Sequence, residues 1–246
     1  MVATGERVLV AGAGGDTGRE LLSILRPTDL TVRATTRSYA KTDSLKRLGA
    51  DEVAVVDFFE SADAVRAVEN CDLVLCTLGT PPGPRHVLGG KLVDRTGVIN
   101  LVTAAVGAKV SHFVYLSAIG VGNSRARLPR LARLLIRGTL RAKQDAEASL
   151  RRSGLGYTIV RPGRLTNEPP SDEILVGEGG DTLHGTIPRA DVARVMAAAP
   201  FTPEARNRTL EVVSRDGLRS SPSGLAEVAW DYDRIGIETD RERIEP

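Results

Sequence analysis

The chain has almost no cysteine, no long apolar run and no surplus of either charge, and each of these gaps removes a class of function. Two cysteines, Cys71 and Cys76, bound a short apolar segment and read as small buried thiols, neither bridged nor holding a metal. The longest apolar runs have the length of a strand, far short of the roughly 20 residues that span a bilayer. The opening residues, Met1 to Arg7, lack the basic and apolar regions of a secretory signal, and the expectation drawn from them is a cytoplasmic protein. With 33 basic against 31 acidic side chains the formal net charge is only +2, so charge gives no reason to expect a nucleic-acid partner.

One segment departs from this balance. From Arg125 to Arg141, six arginines (125, 127, 130, 133, 137 and 141) interleave with leucines and Ile136. It reads either as a solvated helix face over an apolar seam or as a surface for a protein partner or an anionic surface.

What the 246 residues do contain is an alternation of short β-branched runs with longer stretches of helical period, the pattern of a parallel sheet covered on both faces. Strands are expected over 7–11, 31–36, 52–56, 73–77, 112–117 and 157–161, and helices over 17–25, 43–48, 62–68, 87–106 and 128–153. Right-handed crossovers then give an α/β, Rossmann-type doubly wound sheet of order 3-2-1-4-5-6, with its ligand crevice beyond strands 1 and 4. Beyond Gly163 come a Pro- and Gly-rich stretch (167–181), a strand over 183–187, a helix over 190–199 and a strand over 209–213. Residues 164–246 read as a substrate-side extension of one domain.

The first strand runs directly into Gly12-Ala13-Gly14-Gly15-Asp16-Thr17-Gly18 and then a helix. In that context Gly12 makes the turn, Gly15 lets backbone N–H groups approach a pyrophosphate and Gly18 lets the helix lie close to the sheet. Where a site for NAD would carry an acid after strand 2, this chain has Arg37, followed by Ser38 with Lys41 in reach. A guanidinium suits a 2′-phosphate, so NADP(H) is expected over NAD(H), although NAD(H) stays admissible. Asp57 either accepts from an adenine amino group, with Phe58 beside the ring, or caps a helix. Thr77, Leu78 and Gly79 should pass their backbone along the cofactor. His86 and His184 are candidates for acid chemistry by position only, and both read more simply as loop residues.

These residues, together with the blocks His112 to Gly122, Lys143 to Gly163 and Ile187 to Met196, resemble the atypical short-chain dehydrogenase/reductase superfamily. The resemblance is to its NmrA-like, NAD(P)H-binding branch, which includes flavin/biliverdin reductase-like and Tic62-type proteins. It implies that Ser117 and Lys143 are the catalytic pair, that Lys143 also holds the nicotinamide ribose, and that Pro162 packs on the nicotinamide ring. The family's tyrosine is absent, because the residue four before Lys143 is Thr139, whose hydroxyl is a poor general acid at neutral pH. The expected function is an NADPH-dependent reductase of a flavin-, quinone- or carbonyl-type acceptor. Its competitor is a non-catalytic NADP(H)-sensing regulator or assembly factor, with an epimerase or dehydratase a weaker third.

Overall fold

A computed structural model describes residues 5–80, 92–124, 130–171 and 173–236. The strands β1 (Arg7–Ala11), β2 (Thr31–Thr36), β3 (Glu52–Val55), β4 (Leu73–Cys76), β5 (His112–Leu116) and β6 (Gly156–Pro162) pair in parallel in the order 3-2-1-4-5-6. Successive side chains of β1 leave by opposite faces, as the pleat requires. Val8 and Val10 enter one buried cluster with Leu21, Leu22 and Leu25 of α1 (Asp16–Leu25), while Leu9 and Ala11 enter the other. Each buried leucine of α1 contributes on the order of 2 kcal/mol by leaving water.

The helices α2 (Thr42–Arg47), α3 (Ser61–Val68), α4 (Thr96–Gly107) and α5 (Arg130–Arg152) supply the remaining crossovers. Leu45 of α2 joins the α1 side; Ala64, Ala67 and Val68 of α3, Leu101 and Val102 of α4, and Ala146 and Leu150 of α5 fill the opposite face.

The helix expected from residue 87 begins at Thr96, because residues 92–95 form a turn closed by the Arg95 N–H on the Leu92 carbonyl; residues 87–91 lie outside the described set. Beyond β6 the chain forms β7 (Arg164–Thr166), β8 (Ile174–Glu178), β9 (Thr186–Pro188), α6 (Arg189–Ala198) and β10 (Arg208–Ser214). Strand β8 falls within the stretch read as irregular; it pairs antiparallel with β10, which itself pairs parallel with β6, so among the described residues the sheet has eight strands. The strand expected over 183–187 is shorter and later. The Glu211 carboxylate takes the N–H groups of Asp181, Thr182 and Leu183, which removes them from any ladder and leaves β9 to pair with β7.

Candidate functional site

Two adjoining cavities of about 340 and 320 Å³ lie over the carboxyl ends of β1 and β4, where the winding of the sheet reverses. They share Gly15, Thr77, Leu78 and Gly79, so they form one cleft with two compartments. Every residue expected to contact the cofactor lines it. Gly12, Gly14, Arg37, Ser38, Asp57 and Phe58 belong to the first compartment; Asp16, Thr17, Gly18, Ser117, Lys143 and Pro162 belong to the second.

The glycine turn has the shape that a closely approaching backbone ligand needs. Gly12 sits at φ +88°, and a Cβ there would lie 2.8 Å from the Thr77 hydroxyl oxygen. At Gly18 a Cβ would lie 2.4 Å from the Gly12 carbonyl oxygen, so only glycine lets α1 meet the turn this closely. The N-cap of α1 is Gly15, which has no side chain to cap with, and this leaves the N–H groups of the first turn to an incoming anion. The Thr77 hydroxyl donates to the Ala11 carbonyl at 3.0 Å and pins the end of β4 to the turn.

Arg37 is exposed, and among the described residues it has no ion-pair or hydrogen-bond partner for its guanidinium. Lys41 reaches back over the loop, its ammonium 3.8 Å from where a Gly14 Cβ would stand. Two cations thus face the first compartment with no ion-pair partner among the described residues. Asp57 turns its carboxylate to its own chain, accepting from the Phe59 N–H at 3.0 Å, and does not cap α3, whose N-cap is Glu60. Phe58 is buried among α3 and α4 and shows the cleft only a small part of its surface.

In the second compartment Lys143 donates to the Leu116 carbonyl at 2.8 Å and stands 5.4 Å above the Tyr115 ring. Burial lowers its pKa, offset in part by the negative charge of Asp94. The Ser117 hydroxyl donates to Glu147 at 2.6 Å. Burial pushes the Glu147 carboxyl up, but hydrogen bonds and charge from Arg161, with Ser117 and Arg151, hold it below the usual carboxylate range. No phenol lines the cleft among the described residues: Tyr115 is fully buried beneath Lys143, and burial pushes its ionisation well above 10.

Sequence reasoning missed three residues here. Glu147 follows Lys143 by one helical turn, a spacing that could have revealed it. Asp94, whose Oδ2 accepts from the Thr80 N–H at 2.8 Å, belongs to no motif. Arg189, at the start of α6, lines the second compartment and stands 3.6 Å from Asp16. His184 lines neither compartment, and His86 lies outside the described residues. Of the basic segment, residues 125–129 lie outside the described set; Arg137 and Arg141 of α5 are exposed beside half-buried Ile136 and Leu140.

A family model described as NAD(P)H-binding matches residues 12–203, a span that includes the glycine turn, Arg37, Ser117, Lys143 and Pro162. The chain belongs to this NAD(P)H-binding family. Within it, the relatives place the chain in the NmrA-like atypical short-chain dehydrogenase/reductases, a group of reductase- and epimerase-like proteins. It is 34% identical over 218 residues to the chloroplast protein At2g34460 of Arabidopsis thaliana, covering 85% of this chain and 77% of that one. It is 30% identical over 241 residues to the chloroplast protein TIC 62 of Pisum sativum, covering 88% of this chain and 44% of that protein. Among solved structures, a putative NAD-dependent epimerase/dehydratase of Bacillus halodurans superposes with a TM-score of 0.75 at 30% identity, covering 89% of this chain and 96% of that one.

The expectation of a cytoplasmic protein is corrected by these relatives, because At2g34460 and TIC 62 are chloroplast proteins. That expectation was drawn from the pattern of a secretory signal alone, and organelles are addressed by segments of a different pattern. No helix among the described residues is long and apolar enough to cross a membrane.

Proposed function

We propose that this member of the NAD(P)H-binding family is an NADPH-dependent reductase whose acceptor is of the flavin or quinone type. The observation that carries the reading is the division of labour along the cleft. Unpartnered cations stand at one end, a buried lysine and serine stand at the other, and no phenol stands between them among the described residues.

The residues fit the cofactor's chemistry. Arg37 and Lys41 match a 2′-phosphate, and Arg37 does so with a fork of donors. The uncapped start of α1 and the bare backbone at Gly12 to Gly15 fit a pyrophosphate. Lys143 would hold the nicotinamide ribose, and Pro162 would pack on the ring, since both line the second compartment. A dinucleotide bound in this way supplies hydride to the second compartment.

Among the described residues the second compartment holds no phenol to protonate a developing alkoxide, and Thr139 takes the position of the tyrosine that the family resemblance calls for. A flavin or quinone accepts hydride and collects its proton from water, so the protein's contribution is to hold donor and acceptor together.

Calorimetric titration with NADPH and NADH, on the wild type and on Arg37→Glu, tests the cofactor. NADPH should bind at least roughly tenfold tighter than NADH, and the variant should lose that preference; equal binding of the two would sink it. NADPH oxidation with flavin and quinone acceptors tests the enzyme.

A second reading has its own support. A protein that binds NADP(H) as a signal and docks to a partner is favoured by the similarity to TIC 62 and by exposed Arg137 and Arg141 on α5. Tight NADPH binding without turnover of any acceptor would select it.

A further inference from the structure

The polarity of Ser117 is fixed from behind. Its hydroxyl, at 3% exposure, donates to Oε1 of Glu147, which is fully buried. Arg161 grips the same carboxylate, Nε on Oε1 at 2.9 Å and a terminal nitrogen on Oε2 at 2.7 Å, and Arg151 adds a third N–H at 2.8 Å. Arg161 is itself buried and braced by Asn123 at 2.8 Å, so the arrangement is rigid.

Two guanidinium groups on one carboxylate keep it ionised, and an ionised carboxylate only accepts. A serine hydroxyl carries one proton and two lone pairs. That single proton is committed to Glu147, so what Ser117 can offer to the cleft is a lone pair.

We propose that Glu147 is a positioning residue that makes Ser117 a hydrogen-bond acceptor towards the cleft, so that the ligand group meeting it carries an N–H and not a carbonyl oxygen. This rests on the cofactor reading above and sharpens it. A carbonyl oxygen placed there would face an oxygen lone pair with no proton between them, leaving both polar groups unsatisfied in a buried setting. An N–H closes the contact and completes the chain from ligand to Ser117 to Glu147 to Arg161. Two sources carry that chemistry: the carboxamide NH2 of the nicotinamide, and the ring N–H of an isoalloxazine-type acceptor. Simple ketones and aldehydes, which need a proton on oxygen, do not.

The test is a set of calorimetric titrations on the full chain and on Ser117→Ala and Glu147→Gln. One pair of probes is NADPH and its 3-acetylpyridine analogue, in which a methyl replaces the amide NH2. The other is lumiflavin and N3-methyl-lumiflavin, titrated with the oxidised cofactor saturating. The wild type should prefer the N–H-bearing member of one pair by about tenfold, and the pair that responds identifies the source. Ser117→Ala should erase the preference, and Glu147→Gln, whose amide can give or take a proton, should reduce it. A purely structural serine would leave the ratio untouched.

Ser117→Ala leaves the Arg161–Glu147 pair intact, so that variant decides the question even if Glu147→Gln folds poorly. NADPH binding with no discrimination in either pair, or with full discrimination kept in Ser117→Ala, overturns the proposal alone. No NADPH binding by the wild type overturns the cofactor reading and the proposal with it.

Discussion

Lys143 and Asp94 form an ion pair at the floor of the cleft, Nζ 3.9 Å from Oδ1, with Asp94 only 1% exposed. Lys143 comes from α5 and Asp94 from the turn before α4, so the pair ties the two crossover helices together beneath the second compartment.

With Lys143 in its proposed role as ribose ligand, that pair predicts a pH limit on cofactor binding. Burial lowers the Lys143 pKa from 10.5, and of the neighbours that oppose this, Asp94 comes ahead of Cys76 and Glu147; the Tyr115 ring lies against the ammonium on the other side. The charged form is present below the folded pKa and is lost as pH rises through it. Asp94→Asn removes the main opposing charge, so the decline in NADPH affinity on raising the pH should begin at lower pH than in the wild type. Titrations of both proteins from about pH 7 upward, well below the ordinary lysine value, decide the matter, and coincident curves would count against Lys143 as a ribose ligand.

The glycine turn makes a steric prediction. Gly18→Ala places a methyl 2.4 Å from the Gly12 carbonyl oxygen and 2.7 Å from Ala13 Cα, both of them backbone atoms that cannot step aside cheaply. The expected cost is about 2 kcal/mol of stability, from overpacking. NADPH affinity should fall with it, because α1 is pushed off the turn. Chemical denaturation and a binding isotherm on the variant measure the two effects; an unchanged midpoint would mean that the helix has room it does not show.

This turn is fully legible in the sequence, and the contrast with Ser117 shows why. Gly12, Gly15 and Gly18 act through the spacing of neighbours along the chain, and the six apolar strands stand out because helices cover both faces. The behaviour of Ser117 depends on Glu147 and Arg161, from another helix and another strand, and no local pattern encodes that meeting. Strand β8 is hidden for the same reason: Ile174–Glu178 is a strand because β10 lies alongside it, within a stretch whose prolines and glycines argue for irregular chain. Asp94 is visible only once the Leu92–Arg95 turn brings it back to Thr80 and Lys143.

His112, at the start of β5, supplies a prediction away from the site. The Thr158 hydroxyl donates to the Ala205 carbonyl, so it accepts from His112 Nε2, and Nδ1 is left to accept from Arg206. Burial first, then the Arg206 charge, lowers the pKa from 6.5 to about 4. A depressed histidine leaves stability intact above about pH 6.5 and withdraws it as pH falls towards about 4, here by up to about 3 kcal/mol. Urea midpoints of wild type and His112→Gln at about pH 7.5, above that window, and at about pH 4.5, near its lower end, test this, with the acid loss smaller in the variant. Equal losses would assign acid sensitivity to the carboxylates instead.

Among the described residues, the two compartments of the cleft meet only at Gly15, Thr77, Leu78 and Gly79. Two of these four are glycines, and the Thr77 side chain is turned into the protein to hold β4 against the turn. Leu78 apart, the side chains that line the first compartment therefore do not line the second. Substitutions at 37, 38 or 41 can retune which dinucleotide is admitted while 117, 143 and 189 stay as they are, and the reverse holds for the choice of acceptor. A lineage built on this scaffold is free to change its reaction without relearning its coenzyme.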